Sequence, residues 1–411
     1  MNSGSIAFII ICASLVFLMT PGLAFFYGGL GRRKNVINTM MMCVLPIALA
    51  SVTWIVCGYS LSFGGKGDII GNLSHVFLNG VSETTSTRGL EIPDALFAAF
   101  QMMFPIITVA ILTGAAAGRM RFSALIIFIV FWLLLVYFPF AHMVWDEGLL
   151  AKWGTIDFAG GDVVHITSGV SGLVLALMLG KRRDYHRLEY RPHNVPFVFL
   201  GAGILWFGWF GFNAGSALAA DGLAVHAFIT THIAAASALL SWMIVEKIMA
   251  GRFSLVGAST GLVAGLVAIT PGAGFVSTWS SLIIGLCVSP ICYFAISVLK
   301  PKLAYDDALD AFGCHGIGGI FGGLATAIFT TPELALDSHN VGLIYGNAHL
   351  LLVTVAAIIF TIVWSAVASF VIIKVISLFM DIRVEERLEA IGLDDAEHKE
   401  TAYPTFMGLD S

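Results

Sequence analysis

Long apolar runs alternate along the chain with short segments that carry most of the charged residues. The runs lie at Ser5–Tyr27, Thr39–Phe63, Leu96–Gly118, Phe122–Met143, Val163–Leu179, Pro196–Leu218, Ala224–Ile248, Phe253–Ile269, Thr278–Leu299, Ala311–Phe329 and His349–Met380. A helix needs roughly 20 apolar residues to cross a bilayer, and these runs do not alternate as barrel strands do. The pattern predicts an all-α membrane protein with about eleven transmembrane helices.

Basic residues are segregated between the two sets of loops that these helices define. The even-numbered loops hold only Lys66, Arg88 and Lys152, and the other 18 of the 21 Lys and Arg residues lie in odd-numbered loops and the tail. Lys and Arg accumulate on the cytoplasmic side of membrane proteins. We therefore expect the N-terminus outside and the C-terminus in the cytoplasm. The first run is expected to be a retained helix and not a signal peptide, because it lacks a preceding basic region.

Composition narrows the class of protein further. Hydrophobic residues make up 58% of the chain and charged residues 11%, whereas a soluble domain carries about 25% charged residues. This excludes a soluble enzyme, a nucleic-acid-binding protein and a disordered protein. The cysteines lie inside apolar runs without a CxxC pair, and no HExxH or EF-hand pattern occurs. We therefore expect no disulfide framework, metal or cofactor, and no enzyme activity.

The chain divides into a transmembrane domain, residues 1–380, and a polar tail, residues 381–411. Within the first part, two halves of five helices resemble each other. The fifth span opens with Asp157 and carries His165, and the tenth opens with Asp310 and carries His315. Because each half has an odd number of helices, the second half would be inverted in the membrane. The chain would then contain a 5+5 inverted repeat. Such repeats place a substrate path at their interface near the bilayer midplane.

Polar residues inside these spans are the first candidates for function, because they are costly in a bilayer. His165 and His315 occupy similar positions in the two halves, and two neutral imidazoles could form a chain of hydrogen-bond donors and acceptors. The alternative is that each makes only an interhelical hydrogen bond. Asp157 and Asp310 could each cap a helix or stabilise a passing cation, and Asp157 could do both.

Aromatic residues near the outer ends of the spans are weaker candidates. Trp145 adjoins Asp146 and Glu147, which suits a site that recruits cations, although an interfacial Trp is the simpler interpretation. Phe104 and Phe212 could form an apolar plug against hydrated ions, or they could be ordinary core residues.

Several motifs in order along the chain resemble the Amt branch of the ammonium transporter family (Amt/Mep/Rh). They are Phe26–Gly29, Asp157–His165, Trp209–Ser216, Asp310–Gly316 and the tail segment Gly392–Tyr403. The resemblance covers nearly the whole chain. It implies a homotrimer in the cell (inner or plasma) membrane, in which every eleven-helix subunit has its own pore.

The resemblance also implies roles for the candidate residues. Phe104, Trp145 and Ser216 would recruit ammonium in an outer vestibule, and Phe104 and Phe212 would form a stacked gate. Asp157 would stabilise the cation. These roles imply that ammonium loses its proton before entering the pore.

The twin histidines, His165 and His315, would line a hydrophobic pore that conducts ammonia. A bare cation should not cross such a bore, so the proton would travel separately and uptake would be electrogenic. Two alternatives remain: a membrane ammonium sensor with little flux, and an electroneutral ammonia channel of the Rh type.

The tail resembles the family's regulatory C-terminus, which implies a PII-type signal protein as a cytoplasmic partner. Lys399 departs from the family pattern, because it stands where a small, flexible residue is usual. That substitution bears on how the tail packs, and not on the pore.

Overall fold

The computed structural model describes residues 1–185, 187, 190–337 and 339–403. Its long helices are α1 (Ser3–Leu30), α2 (Arg33–Phe63), α3 (Asp94–Ala116), α4 (Phe122–Trp153), α5 (Gly161–Leu179), α6 (Val195–Gly215), α7 (Gly222–Ala250), α8 (Leu255–Ile269), α9 (Thr278–Leu303), α10 (Phe312–Phe329) and α11 (His349–Ser377). No strand occurs in these residues, apart from two isolated bridges. The predicted all-α membrane fold is confirmed.

Ten of the eleven helices are long and apolar enough to cross a bilayer, and α8 is shorter than the others. At ~1.5 Å per residue, α8 falls below the ~30 Å thickness of a hydrocarbon core. Almost all of its residues are buried, because it packs among α6, α7, α9 and α10. Neighbouring helices therefore cover most of its surface, and it does not need to match the bilayer by itself.

The predicted ends differ from the observed ends by a few residues in most spans. The largest difference is in α4, which was expected to end at Met143. Its helix continues to Trp145, breaks over residues 146–148, and resumes at Leu149–Trp153. Hydropathy alone missed this extension because the segment contains Asp146, Glu147 and Lys152.

The two predicted repeats meet where α1 packs along α6 and α5 crosses α10. Both contacts depend on glycine. A Cβ atom at Gly201 of α6 would overlap the backbone nitrogen of Phe26 in α1, and one at Gly169 of α5 would overlap that of Gly316 in α10. Small residues of this kind let membrane helices approach closely. The close crossing of α5 and α10 brings His165 and His315 together.

Replacing Gly169 with alanine is therefore expected to separate α5 from α10. The new methyl group has no room, because it meets backbone and not a flexible side chain. Overpacking of this kind costs about 1–3 kcal/mol, so the midpoint of thermal unfolding should fall by several degrees, and transport should fall with it. A matched control is Gly203→Ala in α6, where the added methyl group meets nothing. Equal stability of the two variants would contradict the prediction.

The tail folds back onto the predicted cytoplasmic ends of α2 and α4. The Asp394 carboxylate accepts a hydrogen bond from the backbone N–H of Asn38 at 2.8 Å, near the start of α2. The Glu397 carboxylate accepts one from the N–H of Phe122 at 3.1 Å, at the start of α4. Carboxylates are favourable at helix N-termini because free N–H groups point outward there. Residues 381–403 are thus held in place by two helix ends.

A short helix, α12 (Glu386–Ile391), adds a second anchor for the tail. Its buried Glu389 accepts a hydrogen bond from Arg383 at 2.7 Å and one from the backbone N–H of Arg183 at 2.8 Å. Lys34 donates to the carbonyl oxygens of Glu389 and Ala390. The tail therefore contacts the first turn of α2 and the loop after α5.

Lys399, the residue that departs from the family pattern, has a left-handed backbone with φ 58°. Its side chain is exposed, and within the described residues its ion pair is with Asp395 at 3.8 Å. A residue with a Cβ pays roughly 1 kcal/mol for this conformation, which glycine adopts freely.

Lys399→Gly should therefore hold the tail more firmly, with about five-fold slower hydrogen exchange at amides 393–403. The matched control is Lys399→Ala, which removes the same side chain but keeps the Cβ, and it should exchange as the parent does. Equal exchange in the glycine and alanine variants would contradict the prediction.

Candidate functional site

A cavity of about 120 Å³ opens at the predicted outer side, where α3, α4 and α6 meet. Its lining is mostly aromatic, with two polar side chains: Phe97, Gln101, Phe104, Trp145, Phe158, Ser216 and Leu218. Three of these residues were predicted from the sequence as one site, namely Phe104, Trp145 and Ser216. The structure brings these three together.

Trp145 is held in a fixed orientation at the wall of this cavity. Its indole N–H donates a hydrogen bond to the carbonyl oxygen of Asp157 at 2.9 Å. Its ring meets Phe104 edge to face, with ring centroids 5.6 Å apart. Aromatic faces around a small cavity attract cations through their quadrupoles. The wall is thus suited to a small cation without a carboxylate in contact.

Two oxygen atoms in the cavity can accept hydrogen bonds. The Ser216 hydroxyl donates its own hydrogen to the carbonyl oxygen of Phe212 at 2.9 Å, so its lone pairs remain as acceptors. The Oε1 atom of Gln101 is buried and has no hydrogen-bond partner. Sequence reasoning did not select Gln101. The available signal was a polar residue one turn before Phe104 in an otherwise apolar helix.

Below the cavity, Phe104 and Phe212 close the path. Their ring centroids are 4.5 Å apart, and both side chains are buried. The ring of His165 stacks behind Phe212, with centroids 6.3 Å apart and planes 21° from parallel. The predicted pair of phenylalanines is therefore a closed contact directly above the histidines.

The two histidines face each other across the crossing of α5 and α10. Their Nδ1 atoms are 3.2 Å apart, and both side chains are buried. His165 also stacks on Trp209 at 5.5 Å. The Nε2 atom of His165 has no hydrogen-bond partner. The two imidazoles thus form a hydrogen-bonded pair across residues 150 positions apart in the chain.

The contact between the Nδ1 atoms determines which hydrogen-bonding groups the pair offers to a neighbouring molecule. One Nδ1 must donate the shared hydrogen and the other must accept it. Neutral rings in this arrangement then present one Nε2 as an acceptor and the other Nε2–H as a donor. If both rings adopt the opposite neutral tautomer, these roles are reversed, so the pair can hydrogen-bond a polar molecule from either side.

A second cavity of about 60 Å³ lies beyond the histidines, on the predicted inner side. His315 is part of its wall, together with Phe26, Tyr27, Asp310 and Cys314. The outer cavity, the phenylalanine contact, the histidine pair and the inner cavity therefore follow one another. Between the two cavities this path is lined by the phenylalanine rings and the two imidazoles, and the other polar side chains lie in the cavities.

Asp157 does not contact this path with its carboxylate. The side chain accepts hydrogen bonds from four successive backbone N–H groups, those of Gly160, Gly161, Asp162 and Val163, at 2.5 to 3.2 Å. These groups open α5, so Asp157 is the helix cap that the sequence suggested as one interpretation. Its carbonyl oxygen meanwhile positions Trp145. One residue therefore supports both the pore helix and the outer cavity.

The repeat partner of Asp157 is Asp307, and not Asp310 as the sequence comparison suggested. Asp307 accepts hydrogen bonds from the N–H groups of Ala311 and Phe312, at the start of α10. It precedes His315 by the same eight residues that separate Asp157 from His165. Asp310 instead has φ 60° and pairs with Lys300. The predicted pairing of Asp157 with Asp310 was wrong because Asp310 is the acidic residue nearest to His315 in the sequence.

The loop before α10 is fixed by a buried ion pair that sequence reasoning also missed. Arg182 forms a fork with the Asp306 carboxylate at 2.8 and 2.6 Å. Burial raises the pKa of Asp306, but the contacts with Arg182 outweigh it and hold the pKa below its usual value. The inner end of the path is therefore rigid near neutral pH.

Comparison with known proteins identifies this arrangement. The sequence profile of the Ammonium Transporter Family matches residues 7–403. An ammonium transporter of Bacillus subtilis is 48% identical over 407 residues, which cover 99% of this chain and 100% of that protein. The chain belongs to the Ammonium Transporter Family.

Further members of the Ammonium Transporter Family agree in sequence and in fold. Amt1 of Archaeoglobus fulgidus is 41% identical, over 98% of this chain and 100% of its own. The crystal structure of Candida albicans Mep2 superposes with a TM-score of 0.88 at 32% identity, over 94% of this chain and 87% of that one. A solved sensor Amt protein gives 0.88 at 30% identity, over 96% and 98%.

Membership of the Ammonium Transporter Family, together with ten long apolar helices, makes this a multi-pass protein of the cell membrane. The relatives are named as transporters, which implies transport and not catalysis. Among the described residues, no group of three or more His, Cys, Asp or Glu side chains could hold a metal ion. The resemblance inferred from the motifs is confirmed.

Proposed function

We propose that the protein is an ammonium transporter that recruits ammonium in the outer cavity and conducts ammonia past the twin histidines. The observation that carries the proposal is the buried His165–His315 pair, with their Nδ1 atoms 3.2 Å apart, between two cavities. An aromatic contact separates the pair from the outer cavity. No hydrated ion fits through such a path, but a small neutral molecule that hydrogen-bonds does.

Recruitment requires that a cation give up water. The faces of Phe104 and Trp145 supply attraction without a fixed charge, and Ser216 supplies a hydroxyl acceptor. Gln101 supplies a second oxygen whose hydrogen-bonding capacity is otherwise unused. Ammonium can donate hydrogen bonds to these two oxygens in defined directions. Potassium, which is similar in size, has no hydrogens to donate, so directional bonding favours ammonium.

Ammonium must lose its positive charge before it enters the pore, because a bare cation is costly in an apolar bore. The Asp157 carboxylate is occupied by backbone N–H groups, so it acts through its field and does not bind the ion. It stabilises positive charge near the cavity while ammonium gives up its proton. Ammonia then passes the phenylalanine contact and hydrogen-bonds the imidazoles. The proton moves separately, along the His165–His315 pair, and each cycle carries one net charge.

The decisive experiment is current across a planar membrane that holds the purified protein, after an ammonium pulse and separately after a potassium pulse. We expect a transient current with ammonium and none with potassium. Equilibration of ammonia without current would instead support an electroneutral channel. Binding without any flux would support a sensor, the second candidate, which is favoured by the similarity to a sensor Amt protein.

Replacing Ser216 with alanine is expected to weaken recruitment specifically. The hydroxyl accepts from ammonium, and a hydrogen bond to a charged group contributes about 1.5–3 kcal/mol. The apparent KM for ammonium should therefore rise about ten-fold or more, with little change in maximal current. Ser14→Ala is the control, because that hydroxyl bonds only within α1. A change in maximal current with an unchanged KM would contradict the role in recruitment.

Two partners belong to the same proposal. Three copies would assemble, each with its own pore, and a PII-type signal protein would dock on the cytoplasmic face. The tail is held against the ends of α2 and α4, which supports a docked surface for such a partner. Co-purification with a PII protein from the same cell, tested across nucleotide conditions, checks this, and failure under every condition would reject it.

A further inference from the structure

His142 is a buried histidine that the proposed transport mechanism does not use. It lies in α4, three residues before Trp145, and its side chain has no exposed surface. Sequence reasoning did not select it, because it sits in an apolar run without a repeat partner. Its surroundings differ from those of the twin histidines, and they determine its charge.

Both ring nitrogens of His142 face backbone carbonyl oxygens. Nδ1 lies 3.1 Å from the carbonyl oxygen of Ser62, and Nε2 lies 2.6 Å from that of Gly67. A carboxylate oxygen of Asp146 lies 3.4 Å from Nδ1. All of these partners are acceptors. A neutral imidazole has one N–H and would leave a lone pair facing an oxygen, whereas an imidazolium donates from both nitrogens.

The charged groups around His142 compensate this positive charge. Asp146 also binds Arg88 at 2.7 Å, and Arg88 donates to the carbonyl oxygen of Phe63. Two further charged groups, Asp68 on the loop after α2 and Lys152 in the last turn of α4, pair with each other. Asp146 is thus shared by two cations, and the carbonyl oxygens of Ser62 and Gly67 are the other acceptors that stabilise the His142 charge.

These contacts hold the end of α4 against the loop that follows α2. The N–H of Leu149 donates to the carbonyl oxygen of Asp68 at 2.7 Å, and a Cβ at Gly67 would overlap the carbonyl oxygen of Ile70. The His142 side chain joins α4 to this loop through its contact with Gly67. Trp145 lies between His142 and Leu149 in the chain. The contacts of these two residues with the loop after α2 therefore fix the segment that carries Trp145, a wall of the outer cavity.

Arg88 extends the same cluster to a second wall of the cavity. Its guanidinium lies 4.7 Å from the ring centroid of Phe97, and Phe97 lines the outer cavity with Trp145. The cluster of His142, Asp146 and Arg88 therefore supports two aromatic walls from behind. None of its three charged groups lines the cavity itself.

We propose that His142 is a buried imidazolium that positions Trp145, so that ammonium recruitment depends on the proton that His142 carries. The inference rests on the proposed recruitment site. His142 is a positioning residue, since it touches neither the cavity nor the pore. Loss of its proton breaks the contact with Ser62 or with Gly67. The end of α4 is then released, the aromatic wall loosens, and ammonium binds more weakly.

The experiment measures the apparent KM for ammonium at several external pH values, with the same series of ammonium-ion concentrations at each pH, for the wild type, His142→Gln and His75→Gln. Glutamine can donate to one carbonyl but carries no proton that titrates. We expect His142→Gln to raise the KM about five-fold at low pH while the maximal current is kept. The wild-type KM should rise toward that of the variant as the imidazolium loses its proton. His75, which is half-buried in the loop after α2, should behave as wild type after substitution.

A second measurement does not depend on transport. Nitrogen NMR of ¹⁵N-histidine-labelled protein, with His142 assigned from the glutamine variant, should show both ring nitrogens protonated at about pH 7.5, where an exposed imidazole is mostly neutral. A neutral His142 at that pH would overturn the inference. So would a glutamine variant with the wild-type KM at every pH. Absence of any ammonium current in the wild type, with His142 protonated, would instead reject the proposed transport function.

Discussion

Replacing His165 and His315 together with alanine is expected to abolish ammonium-selective current, by a factor of at least about 100, or ~2.7 kcal/mol in barrier height. The two rings fill the space between the outer and inner cavities, and their Nδ1 atoms make a direct hydrogen bond. Two methyl groups offer neither donors nor acceptors. They also leave a void through which water and potassium can pass. Any current that remains should therefore be carried by potassium as well as by ammonium.

The measurement is the same pair of ammonium and potassium pulses used for the wild type. His232→Ala is the matched control, because it removes an imidazole that stacks on Trp206 on the outside of α7, away from the path. It should keep wild-type selectivity. A double variant with unchanged ammonium current and unchanged rejection of potassium would eliminate the twin-histidine pathway.

The second large effect is expected for Asp157→Ala. Four backbone N–H groups at the start of α5 donate to this carboxylate, and all lie in a buried turn. Each buried donor left without a partner costs about 1–3 kcal/mol, and the turn can recover part of this by relaxing. We expect a loss of stability on the order of 5 kcal/mol. Transport should be lost as well, because the turn carries His165 and the Asp157 carbonyl positions Trp145.

Two further substitutions test the cause of that loss. Asp157→Asn keeps the size, but its NH₂ group would point at N–H donors, so stability should lie between those of the parent and the alanine variant. Asp162→Asn removes a carboxylate from the same turn but leaves the four bonds intact, because Asp162 accepts from Thr361. The midpoint of thermal unfolding of Asp162→Asn should be close to that of the parent. An equally severe effect of Asp162→Asn would show that charge, and not capping, dominates.

Much of the fold could be predicted from local sequence because a bilayer imposes simple rules. Hydropathy located all eleven helices, including the short α8, and the class of fold was confirmed. It failed at the end of α4, where charged residues follow Trp145 within a helical segment. There the interruption carries Asp146, which binds Arg88 and faces His142. A charged side chain that is paired in the folded protein looks like a loop residue in the sequence.

The candidate site was predicted in part, and its gaps have a common cause. Motifs selected Trp145 and Ser216, which line the same cavity in the structure. Gln101 and His142 were missed because their importance depends on partners supplied by other helices. The sequence does not show that an amide oxygen lacks a hydrogen-bond partner, or that two carbonyl oxygens face the nitrogens of one imidazole.

The sequence by itself determined the helical membrane class, the segregation of basic residues and the residue types available for recruitment and conduction. These follow from hydropathy and from short motifs, which depend on neighbours along the chain. Only the tertiary structure decided that His165 and His315 share a hydrogen bond, that Asp307 matches Asp157, and that His142 has acceptors on both sides. The physical reason is that hydrogen-bond partners are set by helix crossings. Those crossings join residues far apart in the sequence through packing that no local pattern records.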